Sequence, residues 1–218
     1  MKKTIVALLL VSVTASAFAQ SDKYEKAMTP KIAALDTTRN STALQDLANS
    51  FERIATTEKQ QWLPYYYAAL AQTNYGYSKL ESDMRGDAAV IDPTAEKAEA
   101  LLTEAEKLSP NNSEIFIVRK MINTLHMVVD PQNRYMTYGP AAAQALETAK
   151  KLNPDNPRVY LLEGQDKYFT PEQFGGSKDE AKQLFETAMQ KYDTFKPENA
   201  LAPNWGSKTV QYFLSQHP

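Results

Sequence analysis

A frame of three residues recurs along this chain and constrains its fold more than any other feature. It runs Ala98-x3-Leu102-x2-Ala105-x4-Pro110 and returns as Ala142-x3-Leu146-x2-Ala149-x4-Pro154. It returns again as Ala181-x3-Phe185-x2-Ala188, without the closing proline, and Leu47-x3-Phe51-x2-Ile54 is a weaker copy. Spacings of four and three place all three positions on one stripe of an α-helix. The alanines let a neighbouring backbone approach, the large middle residue fills the gap, and proline ends the helix. A helix built this way cannot bury its stripe alone, so the copies must stack.

Counting onward locates a second set of helices. Tyr65, Phe116 and Tyr160 each lie 18 residues beyond Leu47, Ala98 and Ala142. The constant interval puts the variable length between the two helices of one pair, near 79–93, 129–140 and 169–177. Those stretches carry the turn formers Gly86 and Pro93, then Pro131, Gly139 and Pro140, then Pro171, Gly175 and Gly176. All three insertions therefore fall on one edge of the stack. Asp92-Pro93 and Asn156-Pro157 read as caps before a first-turn proline, Ser177-x2-Glu180 as a capping box, and Ser113 as the cap of the helix holding Phe116. The spacing predicts helices near 22–36, 41–57, 62–78, 94–109, 113–128, 140–152, 157–168, 177–192 and 203–215, with Pro30 kinking the first.

The frame resembles the second helix of the tetratricopeptide repeat, whose pattern is W-x2-L-G-x2-Y, then A-x3-F, then A and P. Tyr65, Phe116 and Tyr160 match its tryptophan position, Ala69 and Gly164 its helix-contact glycine, and Trp205 with Tyr212 its W-x6-Y spacing. The resemblance implies an all-α fold, a right-handed superhelical stack of about four antiparallel helix hairpins with insertions at the intra-repeat turns and a C-terminal capping helix. The chain is also similar to exported tetratricopeptide proteins of Bacteroidetes-type bacteria. The residues suggesting this are Val129-Asp130-Pro131 with Arg134, Asn153 to Arg158, Phe174-Gly175-Gly176 and Pro203-Asn204-Trp205-Gly206.

Export has its own signature. Lys2 and Lys3 precede an apolar run from Ile5 to Val13, and Ala17-Phe18-Ala19 offers a small-x-small cleavage site. The expectation is a signal peptide over 1–19 and a repeat domain over 20–218, periplasmic or secreted, with no membrane insertion after cleavage. The run is too short to span about 30 Å of hydrocarbon. Cysteine is absent, so the domain relies on its apolar core. Loss of Lys2 and Lys3 takes the formal charge from −2 to −4. With no basic stripe interleaved with aromatics, nucleic acid is not an expected partner.

Little in the sequence points to catalysis, a cofactor or a metal. The histidines are His126 and His217, on different elements, and zinc or thiol chemistry cannot be written without cysteine. Glu96 with Glu99 and Glu104 with Glu106 read as solvated helix faces. Arg85-Gly86-Asp87 reads as a turn. Gly175-Gly176-Ser177-Lys178, two glycines before a helix start, is a candidate anion site or simply a capped turn.

Leading helices of stacked pairs line a concave face where ligands lie. The frame assigns that face to Tyr66, Leu70 and Thr73, to Ile117, Met121 and Thr124, to Leu161, Gln165 and Tyr168, and to Val210 and Phe213. Arg134, Tyr135 and Tyr138 line or close it. Two readings follow. An open groove makes the chain a non-catalytic scaffold for a protein or peptide client of the cell envelope. A groove closed by the insertions makes a small-molecule or glycan site, with enzymatic use of it left open.

Overall fold

The computed structural model describes residues 22–81 and 85–216. The signal-peptide segment and His217 lie outside them. The described chain contains helices at 22–37 (α1), Ser41–Thr57 (α2), Trp62–Tyr77 (α3), Ala88–Leu108 (α4), Ser113–Val129 (α5), Pro131–Leu152 (α6), Pro157–Phe169 (α7), Lys178–Thr194 (α8) and Ser207–Gln216 (α9). One 3-10 turn at Glu172–Phe174 precedes α8. No strand occurs among the described residues, and the all-helical expectation holds.

The recurring stripe is the packing surface. Ala98, Leu102 and Ala105 are fully buried, as are Ala149, Ala181 and Ala188, and Ala142, Leu146 and Phe185 are nearly so. Tyr65, Phe116 and Tyr160 share one environment, each half-buried at a helix face. In α2 the buried set is Leu44, Ala48, Phe51 and Ala55, while Leu47 and Ile54 stay half-buried, so the frame there is Leu44-x3-Ala48-x2-Phe51, three residues before the assigned copy.

Three helix starts differ from expectation, α9 beginning at Ser207 rather than near 203. Asp87, not Asp92, caps α4 by accepting from the Ala89 N–H, and Pro93 lies inside the helix. Burial of Ile91 and the Thr94 hydroxyl bonded to the Val90 carbonyl hold the added turn. Likewise α6 starts at Pro131 behind Asp130 and carries Pro140 within it. Asn112 caps α5, and Ser113 instead donates to the Ala149 carbonyl. Asn156 and Ser177 cap α7 and α8 as expected. Proline was a misleading start signal because tertiary contacts, Ile91 burial and the Arg134–Asp92 pair, extend both helices past it.

Three apolar clusters form the interior. One joins α1 to α5, one joins α5, α6 and α7, and one joins α7, α8 and α9. Trp205 packs against all three. It lies before α9, in a connection over 195–206, rather than in the helix predicted over 203–215.

Candidate functional site

The concave-face residues divide into two groups. Tyr66, Leu70, Thr73, Ile117, Leu161 and Val210 are buried to within 2% of full enclosure, and Phe213 to 6%. Met121, Thr124, Gln165 and Tyr168 remain half-exposed. The first group is therefore core, and an open groove lined by it is corrected. From the first insertion, Ile91 and Leu80 join the cluster that holds Tyr66 and Leu70. The connection 195–206 packs there too, with Leu201, Pro203 and Gly206 buried and the Leu201 carbonyl accepting from the Tyr67 hydroxyl at 2.8 Å.

Beneath this connection lies a closed polar circuit. The Trp205 Nε1–H donates to the Tyr66 hydroxyl at 2.8 Å, and Tyr66 donates to Glu114 Oε2 at 3.2 Å. Arg158 grips the same carboxylate twice, Nε to Oε2 at 2.8 Å and Nη2 to Oε1 at 2.6 Å, and Nη1 returns to the Trp205 carbonyl at 3.2 Å. Asn156 adds Nδ2 to Oε1 at 2.7 Å. Arg158 is wholly buried. Burial opposes its charge, but the attraction and hydrogen bonds of Glu114 outweigh it and hold the guanidinium above its ordinary pKa. Burial first, then the Glu114 charge, pushes the Tyr66 phenol well up.

The insertion residues make a clasp. Arg134 Nη1 and Nη2 reach the two oxygens of Asp92 at 2.6 and 2.8 Å. His126 Nδ1 lies 3.3 Å from Asp92, and its ring stacks on Tyr138 with centroids 4.7 Å apart. The Arg134 hydrogen bonds hold the Asp92 carboxyl below its ordinary pKa. Arg134 and Tyr138 thus close the edge, while Tyr135 stays 60% exposed. Among the described residues no three His, Cys, Asp or Glu gather as a metal site.

The glycine turn is fully spoken for. The N–H groups of Gly175, Gly176 and Ser177 donate to the carbonyls of Glu172, Pro171 and Lys167. A side chain on Gly176 would strike the Thr170 carbonyl oxygen. These backbone donors are not free to hold an anion, which corrects that part of the expectation. Lys178 is exposed, with its ammonium over the Tyr168 ring and bonded to the Tyr168 carbonyl.

Around the end of α7 the surface changes character. Tyr168, Phe169, Phe185, Tyr212 and Phe213 form one ring cluster, with Phe185 and Phe213 stacked at 4.7 Å. Phe169 and Tyr212 both lean on Phe213, at 5.8 and 5.6 Å, and remain 54% and 60% exposed. Between α7 and α8, a cleft of about 670 Å³ is bounded by Asp166, Lys167, Phe174 and Glu180. Sequence reasoning placed Tyr168 and Phe213 here and missed Phe169 and Tyr212. The available signal was the Tyr-Phe dipeptide, which occurs in both helices.

The fold has a solved counterpart. The HusA haemophore from Porphyromonas gingivalis superposes with a TM-score of 0.77 at 34% identity, over 88% of this chain and 92% of that one. The chain belongs to the HusA haemophore family. No family model matches it and no curated protein does. No helix among the described residues is long and apolar enough to cross a membrane.

Proposed function

We propose that this chain is an exported, non-catalytic carrier of haem or a related porphyrin, held on the ring shelf of Phe169, Tyr212 and Phe213. The helix pairs are then a tetratricopeptide-type stack whose leading-helix face is filled at one end by the chain's own connection and offers ligand contacts at the other. One observation carries the reading: two large aromatic side chains stand more than half exposed on a backing of packed rings, in a chain kin to a haemophore. Exposed apolar surface of that kind favours a partner that covers it. A flat macrocycle stacks on such rings, each stack adding about 0.5–1.5 kcal/mol beyond area burial. Lys178, whose ammonium lies against Tyr168, supplies positive charge for a propionate. The one described histidine, His126, is engaged by Asp92 and covered by Tyr138, so stacking rather than histidine ligation carries the binding.

The small-molecule reading therefore replaces the protein or peptide client, seven of whose eleven leading-helix groove residues lie in the core. Titration of the 20–218 chain with haem, followed by the Soret band, tests it. Saturable binding is expected, with Phe169→Ala and Tyr212→Ala each weakening it about tenfold and Tyr135→Ala, on α6, leaving it unchanged. Equal affinity in all four proteins would remove the shelf from the account.

A further inference from the structure

The shelf is assembled from two helices, Phe169 on α7 and Tyr212 on α9, so its shape depends on where α9 sits along α7. That helix has only ten residues and follows a long connection. A slip of one residue along a helix moves a side chain about 1.5 Å and turns it about 100°. Such a slip would carry Phe213, and Tyr212 with it, away from Phe169. Something must therefore fix the start of α9.

The fixing point is Trp205-Gly206. The Trp205 carbonyl accepts from Arg158 on α7 at 3.2 Å and from the Tyr192 hydroxyl on α8 at 2.8 Å, while its indole N–H is bound by Tyr66 on α3. Gly206 adopts φ 108°, and its carbonyl accepts the first helical bond of α9, from Val210. A Cβ on Gly206 would lie 2.2 Å from the Tyr192 hydroxyl oxygen and 3.0 Å from Leu161. Three helices thus hold one end of α9, and the other end presents the shelf.

We infer that the Glu114–Arg158 circuit, acting through Trp205 and Gly206, is the positioning device that registers α9 and so sets ligand affinity without touching the ligand. This rests on the shelf reading above. None of these four residues belongs to the exposed rings.

The test is a double-mutant cycle in the 20–218 chain, with haem affinity as the readout. Gly206→Ala is expected to weaken haem about tenfold, and Trp205→Phe, which keeps the carbonyl and the ring but loses the indole N–H, about threefold. With Tyr212→Ala already present, both effects should shrink to less than twofold, because the ring they position is gone. A purely structural role would weaken binding by the same factor in both backgrounds, and that result overturns the inference. So does unchanged affinity in both single variants. Trp205→Phe keeps the test decisive if Gly206→Ala fails to fold. The two levels of the argument separate cleanly. If Phe169→Ala and Tyr212→Ala themselves leave haem affinity untouched, the shelf reading falls and takes this inference with it. If they weaken it and the cycle is additive, the positioning claim alone falls.

Discussion

Replacing Arg158 with methionine tests the polar circuit at its most demanding point. The guanidinium is fully enclosed, and the Glu114 side chain that it holds is 13% exposed. Methionine keeps much of the volume and removes the charge, leaving a buried carboxylate with only Asn156 and Tyr66 as donors. Breaking one partner of a buried pair in this way costs about 3–5 kcal/mol. For a domain of this size each kcal/mol moves the melting temperature by about 2–4 °C, so a fall of roughly 12 °C is expected. Thermal unfolding followed at 222 nm measures it, with denaturant titration as a second estimate. Neutralising the stranded acid in the Glu114→Gln/Arg158→Met double variant should recover a large part of the loss, because the penalty lies mostly in the unpaired charge. A loss below about 1 kcal/mol in the single variant, or a double variant as unstable as the two singles combined, would refute the reasoning.

Other consequences follow from the same contacts. Asp92 has a folded pKa below its unfolded value because of Arg134, so its contribution is present above about pH 4 and lost as pH falls through the depressed value. Asp92→Asn should therefore flatten the acid limb of a stability-versus-pH curve measured by denaturant unfolding. Tyr24, Tyr66, Tyr67, Tyr77 and Tyr192 are all raised, burial being the largest cause in each. Their stabilisation is complete below about pH 10 and declines as pH rises beyond it. Absorbance at 295 nm should show them ionising only with alkaline unfolding, after the exposed tyrosines. Gly176→Ala forces a side chain onto the Thr170 carbonyl and should lower stability by about 2 kcal/mol, read from its denaturation midpoint.

Helix order and pairing were legible in the sequence because the Ala-x3-large-x2-Ala stripe is a local signal. Alanine spacing, caps and turn formers act within one helix and its neighbour, and six of the nine helix starts lie within one residue of where they point. What lay beyond was tertiary. Pro93 and Pro140 looked like boundaries, yet Ile91 burial and the Asp92–Arg134 clasp carry the helices past them. Trp205 kept the spacing of a helix residue but serves as a peg, since its partners Tyr66 and Arg158 are distant in sequence. Seven of the residues expected on an open face are core instead, because nothing local marks the connection 195–206 as a segment that packs against them. The exposed rings were half legible: Tyr168 and Phe213 fell on the frame, while Phe169 and Tyr212 gain their role only from the three-dimensional shelf.

Amide hydrogen exchange with and without saturating haem bears most directly on the central claim. The account predicts new protection confined to the end of α7, the turn to α8 and α9, over about 165–178 and 207–216. Protection centred instead on 131–138 at the start of α6, or no change anywhere at saturation, would contradict it.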